Sequence, residues 1–105
     1  LKHFCLREMA FWGIEVKPGR SYNCRVSKQG AKLYITRATL GNIGSLAGRS
    51  ILQCGELDQS PVFLCSLLAD HKESCPLNLE FDNDEVTFSV VGTQSIHITG
   101  FLKDD

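Results

Sequence analysis

A chain of 105 residues and 11.7 kDa is long enough for one domain, which buries about two-thirds of the surface its unfolded chain exposes and therefore needs neither a metal nor a disulfide to fold. Its 43% hydrophobic and 22% charged residues exclude a disordered tail, and a net charge of -1 names no partner by itself. Five cysteines, Cys5, Cys24, Cys54, Cys65 and Cys75, form no C-x-x-C pair and occur with no Asn-x-Ser/Thr acceptor, which argues against a zinc ribbon and a secreted disulfide framework and fits an intracellular, reducing compartment.

Leu1–Glu8 precede Met9 and lack the apolar centre of a signal peptide, so residues 1–8 read as an appended leader and residues 9–105 as the domain. Phe11–Val16 alternates weakly and ends at Lys17-Pro18-Gly19, where proline fixes one dihedral and glycine permits the reversal. Arg20–Lys32 is polar and basic and reads as a loop or a poorly ordered hairpin. Leu33–Leu40, rich in β-branched and aromatic residues, is a strand; Gly41–Gly48, with three glycines, is a flexible connection. Gly48-Arg49-Ser50 leads into a strand rather than a helix and so does not make a phosphate-binding loop.

Ser50–Cys54 is a short strand, and Pro61–Leu68 is the stretch around which the rest is organised. Strict alternation puts Val62, Leu64 and Leu68 on one face and Phe63, Cys65 and Leu67 on the other, so both faces want cover. A chain this short covers one face with its own core, and a second subunit is the simplest cover for the other. Val62, Phe63, Leu64, Leu67 and Leu68 are accordingly the candidate oligomer interface. Ala69–Cys75 is an exposed connection. Pro76–Phe81 is an ordinary half-buried strand with Leu77, Leu79 and Phe81 inward and Asn78 and Glu80 outward. Asp82–Glu85 is an acidic turn, Val86–Val91 a strand, Gly92-Thr93 a tight turn, and Gln94–Leu102 a last strand with Ile96 and Ile98 on one side. No segment sustains a helical apolar period. Seven or so short strands separated by turns predict an all-β sandwich, best satisfied by a jelly roll.

Charge is divided along the chain. Residues 1–55 carry nine Lys or Arg against Glu8 and Glu15, and residues 56–105 carry Lys72 and Lys103 against ten acids. The run from Lys17 to Arg49 holds seven cations and no acid, a candidate for weak, non-specific contact with DNA, although it has no recognition helix. Pairing of the two halves within the fold explains the same pattern.

Several blocks resemble, in order, the nucleoplasmin-like amino-terminal domain of plant nuclear immunophilins of the FK506-binding-protein type. They are Phe11–Gly19, Ala38-Thr39-Leu40-Gly41, Ser60–Leu68, Cys75–Phe81 and Ser95–Gly100, and together they cover essentially Met9 to Leu102. The plant deacetylase-like nucleolar family shares the opening block, but Pro61–Phe81 is closer to the immunophilin branch. The resemblance implies an eight-stranded jelly roll that closes into a pentameric ring, and a histone chaperone that binds core histones, both dimer and tetramer, during nucleosome assembly. It also implies a nuclear location, with the nucleolus as a further candidate. The family's long acidic tracts and the immunophilin isomerase domain are absent from this sequence. Residual histone contact is then expected at Glu80, Asp82, Asp84 and Glu85, four carboxylates close in sequence that can meet lysines and arginines.

Other readings of the same residues stay open: a purely structural oligomerisation module, and a glycan-binding jelly roll using Trp12. Against the second, Phe11 and Trp12 at the start of a strand fit a core or an interface better. An enzyme needs a convergent polar set, and His97 between Ile96 and Ile98 has no nucleophile elbow to serve. No cofactor or metal is implied, and no apolar run is long enough to span a membrane.

Overall fold

A computed structural model describes residues 9–26, 30–41, 48–56, 59–82 and 85–104; residues 1–8, expected from the sequence as an appended segment, lie outside the described residues. Eight strands follow one another: β1 (Met9–Val16), β2 (Ser21–Arg25), β3 (Ala31–Leu40), β4 (Ser50–Glu56), β5 (Val62–Leu67), β6 (Ser74–Phe81), β7 (Glu85–Gly92) and β8 (Ile96–Asp104). They form two four-stranded sheets ordered β1-β8-β3-β6 and β2-β7-β4-β5. All neighbours are antiparallel. Apart from the β4–β5 hairpin, whose strands pair within one sheet, successive strands cross between the two sheets, which is the jelly-roll winding.

Arg20–Lys32, expected as a loop or a poorly ordered hairpin, holds an ordered strand. Ser21–Arg25 is a strand with Tyr22 and Cys24 half-buried and Ser21, Asn23 and Arg25 exposed. Its alternation is short and its apolar side holds only two residues, so propensity alone does not mark it. Pairing along β7, Tyr22 against Phe88 and Cys24 against Val86, supplies what the local sequence lacks.

The core lies between the sheets and draws on alternate residues of nearly every strand. Ile35, Leu40, Leu52, Phe88, Ile96 and Ile98 are buried, each contributing about 1.5–3 kcal/mol by removal from water. Phe81 meets Phe88 edge to face across the sandwich, with ring centroids 6.2 Å apart. The β7–β8 corner needs glycine at Gly92: its φ of 147° is unfavourable to other residues, and a Cβ there would press on the Ser50 backbone and hydroxyl. Ser50 itself is fully buried, and its hydroxyl accepts a hydrogen bond from the Gln94 backbone N–H at 3.0 Å.

Candidate interaction surfaces

β5 is an edge strand, and it does not alternate as a simple strand would. Leu52 opposes Cys65 and Gln53 opposes Phe63, which leaves Leu64 without a partner as a β-bulge. The bulge reverses the facing beyond it. Val62 shares the inner side with Cys54, Phe63 the outer side with Gln53, and past Leu64 it is Cys65 and Leu67 that turn inward while Ser66 turns out. Leu67 is therefore fully buried in the protomer's own core and offers no surface, a correction to the strictly alternating expectation. Leu64 and Leu68 are half-buried, whereas Val62 and Phe63 are 61% and 68% exposed. Phe63 shares its outer face with Ile51 and Val91, which are cross-strand partners; Val91 is also exposed. Val62 lies at the rim of a cleft of about 220 Å³ lined also by Cys54, Phe81 and Val86.

A second apolar surface is built around Phe11, which the sequence offered as core or interface without its neighbours. On the outer face of the β1-β8-β3-β6 sheet, Phe11 stands opposite Phe101, and Phe101 opposite Tyr34. The three aromatic residues thus form a row across three strands. Tyr34 and Phe101 stack with centroids 4.9 Å apart at 15°. Phe11 is 81% exposed and leans over Gly13, where the lack of a side chain leaves room for its ring. Met9, also exposed, continues the patch, and a groove of about 360 Å³ runs beside it along Ile14, Glu15, His97 and Thr99. Trp12, by contrast, is half-buried and packs on the core side. No sequence signal marks the row, because β1 and β3 become neighbours of β8 only through long-range pairing.

The four carboxylates are partly occupied. Glu80 points outward on β6 and accepts an ion-paired hydrogen bond from Lys32 Nζ at 3.0 Å. That hydrogen bond, followed by the Glu80 charge, raises the Lys32 pKa. Glu85 lies opposite Arg25, with Nη1 and Oε1 3.9 Å apart. Asp82 is exposed at the end of β6, and Asp84 lies outside the described residues. In both ion pairs a cation from the basic half meets a carboxylate from the acidic half. Within the basic run, Arg37 donates to Ser74 Oγ at 3.1 Å and Arg49 to Ser66 Oγ at 2.8 Å, Lys17 and Arg20 are exposed near the first turn, and Lys28 lies outside the described residues.

His97 points outward, as its place between two buried isoleucines requires, and its Nε2 is 3.9 Å from Glu15 Oε2. Cys24 and Cys75 are half-buried within β2 and β6. Burial raises the pKa of Cys24 and of Cys54, and pushes Cys65 up to about 11 with help from the neighbouring Cys75 thiol. Thiols so placed stay protonated at neutral pH and react slowly.

Comparison with protein families matches residues 11–103 to the nucleoplasmin-like domain. The chain is 47% identical over 97 residues to the peptidyl-prolyl cis-trans isomerase FKBP53 of Arabidopsis thaliana, a match that spans 90% of this chain and 20% of that protein. Among solved structures, the nucleoplasmin-like amino-terminal domain of Drosophila FKBP39 superposes with a TM-score of 0.75 at 21% identity, covering 93% of this chain and 92% of that one. The Drosophila NLP core, whose crystal structure bears on pentamer formation and histone binding in that protein, superposes with a TM-score of 0.74 at 22% identity over 88% and 96% of the two chains. Both structural likenesses fix the fold as nucleoplasmin-like.

Proposed function

Since this chain belongs to the nucleoplasmin-like domain family and is not an isomerase domain, we propose that it is the oligomerising core of a histone chaperone carried by an immunophilin of the FK506-binding type. Copies of it close into a ring, five by analogy with the family, and the ring binds core histones, dimer and tetramer, in the nucleus. The observation that carries this reading is the pair of unlike apolar patches on opposite sheets: Met9, Phe11 and Phe101 on one, Phe63 and Val91 on the other. Two unlike patches favour head-to-tail contacts, and these generate a ring when the rotation closes. A contact of about 800 Å² per partner, half of it apolar, contributes on the order of 10 kcal/mol before association entropy is subtracted. Val62, Leu64 and Leu68 border the second patch and join the interface at its rim.

Histone contact falls on Glu80, Asp82, Asp84 and Glu85, repeated around the ring. Repetition is what makes a few carboxylates per protomer effective against a strongly basic partner. The ion pairs Lys32–Glu80 and Arg25–Glu85 favour a second reading, in which the domain only oligomerises and histones are held elsewhere in the full protein. Light scattering on the purified chain, followed by histone dimer and tetramer pull-down across a salt series, separates them. A multiple of the 11.7 kDa protomer that captures histones at moderate salt supports the chaperone core. A ring without capture supports the structural module, and a monomer removes both.

A further inference from the structure

Cys65 and Cys75 stand on β5 and β6, the edge strands of the two sheets on the same side of the sandwich. The chain passes between them through a tight corner. Leu68 and Lys72 form an isolated antiparallel bridge, with the Leu68 N–H donating to Lys72 O at 2.8 Å and the Lys72 N–H to Leu68 O at 2.9 Å. Asp70 takes the left-handed conformation at φ 66°, and its N–H donates to Glu73 Oε2 at 2.8 Å. Stepping outward from the bridge one residue at a time along each strand brings Cys65 level with Cys75.

Both side chains also face inward. Cys65 is the cross-strand partner of Leu52 and Cys75 that of Ala38, and these two partners are fully buried. The thiols consequently meet between the sheets at the open side of the sandwich, close enough for the one to interact with the other. The other described thiols are not so placed. Cys24 and Cys54 lie on β2 and β4 with β7 between them, two strand spacings or roughly 10 Å apart, beyond disulfide reach.

We propose that Cys65 and Cys75 are a disulfide-forming pair, oxidised by a low-molecular-weight disulfide of the glutathione type, and that the bond ties the two sheets together at their free edges. One thiolate attacks a sulfur of the small disulfide, giving a mixed disulfide and releasing one glutathione thiolate. The second cysteine thiolate then displaces the other glutathione. Two protein thiols lose two protons and two electrons, the small disulfide takes them up as two thiols, and no other oxidant enters. In either order Cys65 passes once through its thiolate, so the half-buried pair is stable to brief exposure and responds to a sustained oxidising poise.

The test uses the assembled protein incubated with oxidised glutathione from pH 7 to pH 9, alkylated, and cut with trypsin, which cleaves after Lys72 between the two cysteines. The expected product joins the Ser50–Lys72 and Glu73–Lys103 peptides, with fragmentation placing the bond at Cys65 and Cys75 and leaving Cys54 alkylated. Its rate of formation rises about tenfold per pH unit. The oxidised protein melts several degrees higher than the reduced protein, and Cys75→Ser, or Cys65→Ala if that variant does not fold, abolishes both the joined peptide and the difference. Full alkylation of both thiols after prolonged exposure at pH 9 with the β spectrum intact overturns the proposal, as does a stable glutathione adduct on either cysteine without the internal bond.

Discussion

Tyr34 of β3 and Phe101 of β8 are direct cross-strand partners whose rings stack 4.9 Å apart on the outer face of their sheet, away from the core. An aromatic pair turned outward, with Phe11 opposite Phe101 and largely exposed, is an arrangement a lone protomer gains little from. It becomes useful when another surface covers it. The pair should then show two separable effects. Tyr34→Ala and Phe101→Ala are each expected to cost about 1–2 kcal/mol in protomer stability, with a coupling of about 0.5–1.5 kcal/mol in a double-mutant cycle. Phe11→Ser is expected to leave the protomer fold unchanged and lower the assembly mass. Urea denaturation reads the first effect and light scattering the second; a Phe11→Ser protein of unaltered mass would remove this face from the interface.

Gly100 lies beside this pair on β8, opposite Ile35, next to the β3 bulge at Thr36. A Cβ at Gly100 would run into the backbone carbonyl of Tyr34 and the Cα of Ile35, neither of which belongs to a movable side chain. Gly100→Ala is accordingly expected to break the β3–β8 pairing and cost more than about 3 kcal/mol. Circular dichroism and a denaturation midpoint check it. A variant within about 0.5 kcal/mol of the parent would mean that β8 can shift to accommodate the methyl group.

Much of this architecture is legible in the residues, and the failures have specific causes. β6 reads correctly because Leu77, Leu79 and Phe81 alternate with Asn78 and Glu80 without a break in facing, although its pairing with β3 shifts register between Ile35 and Arg37. β5 misleads because one unpaired residue, Leu64, exchanges the faces beyond it, so Leu67 goes to the core. β2 is hidden because two half-buried side chains, Tyr22 and Cys24, are too few to mark a strand without β7 beside them. The Phe11–Phe101–Tyr34 row depends on which strands become neighbours, which local pattern does not encode.

Leu67 and Phe63 lie four residues apart on one strand and should respond to truncation in opposite ways. Leu67 is fully buried, so Leu67→Ala is expected to cost about 2–5 kcal/mol whatever the oligomeric state. Phe63 is 68% exposed in the protomer, so Phe63→Ser is expected to leave the protomer intact and weaken assembly at least tenfold. Concentration-dependent light scattering beside thermal melts distinguishes them. A Phe63→Ser protein that assembles with parental affinity would place the interface off the β5 edge.

Among the acids, Glu80 and Glu85 are ion-paired with Lys32 and Arg25, and Asp82 is exposed. Exposed ion pairs of this kind contribute little to stability, so Lys32→Gln should barely change it while freeing Glu80 for a basic partner. Histone binding at low salt is expected to tighten a few-fold in Lys32→Gln. Replacing Glu80, Asp82, Asp84 and Glu85 together with Ala or Asn is expected to weaken it at least tenfold. Pull-down or anisotropy titration at two salt concentrations measures both, and unchanged binding in the fourfold variant would remove the acidic turn as a histone contact.

The half-buried thiols give stability a dependence on alkaline pH whose sign follows from proton counting. Cys65 ionises near pH 11 in the folded protein, against 9.0 for an unperturbed thiol. Between those values the unfolded chain has released a proton that the folded protein still holds, so stability falls as pH rises. The Cys65 contribution is fully present below about pH 9, declines through the window from 9 to 11 and is exhausted above it; Cys24 and Cys54, raised in the same direction by burial, act with the same sign. With Cys65 only half-buried, solvent takes up much of the shift, leaving a loss of about 1 kcal/mol rather than the nearly 3 kcal/mol a two-unit shift would carry in full. Urea midpoints of the reduced protein are therefore expected to drop between pH 8.5 and 10.5, and to drop less in Cys65→Ala, whose stability at pH 7 is lower by the lost packing. If the parent and Cys65→Ala lose stability in parallel across that range, Cys65 is solvated in the folded protein and its packing between the sheets is wrong.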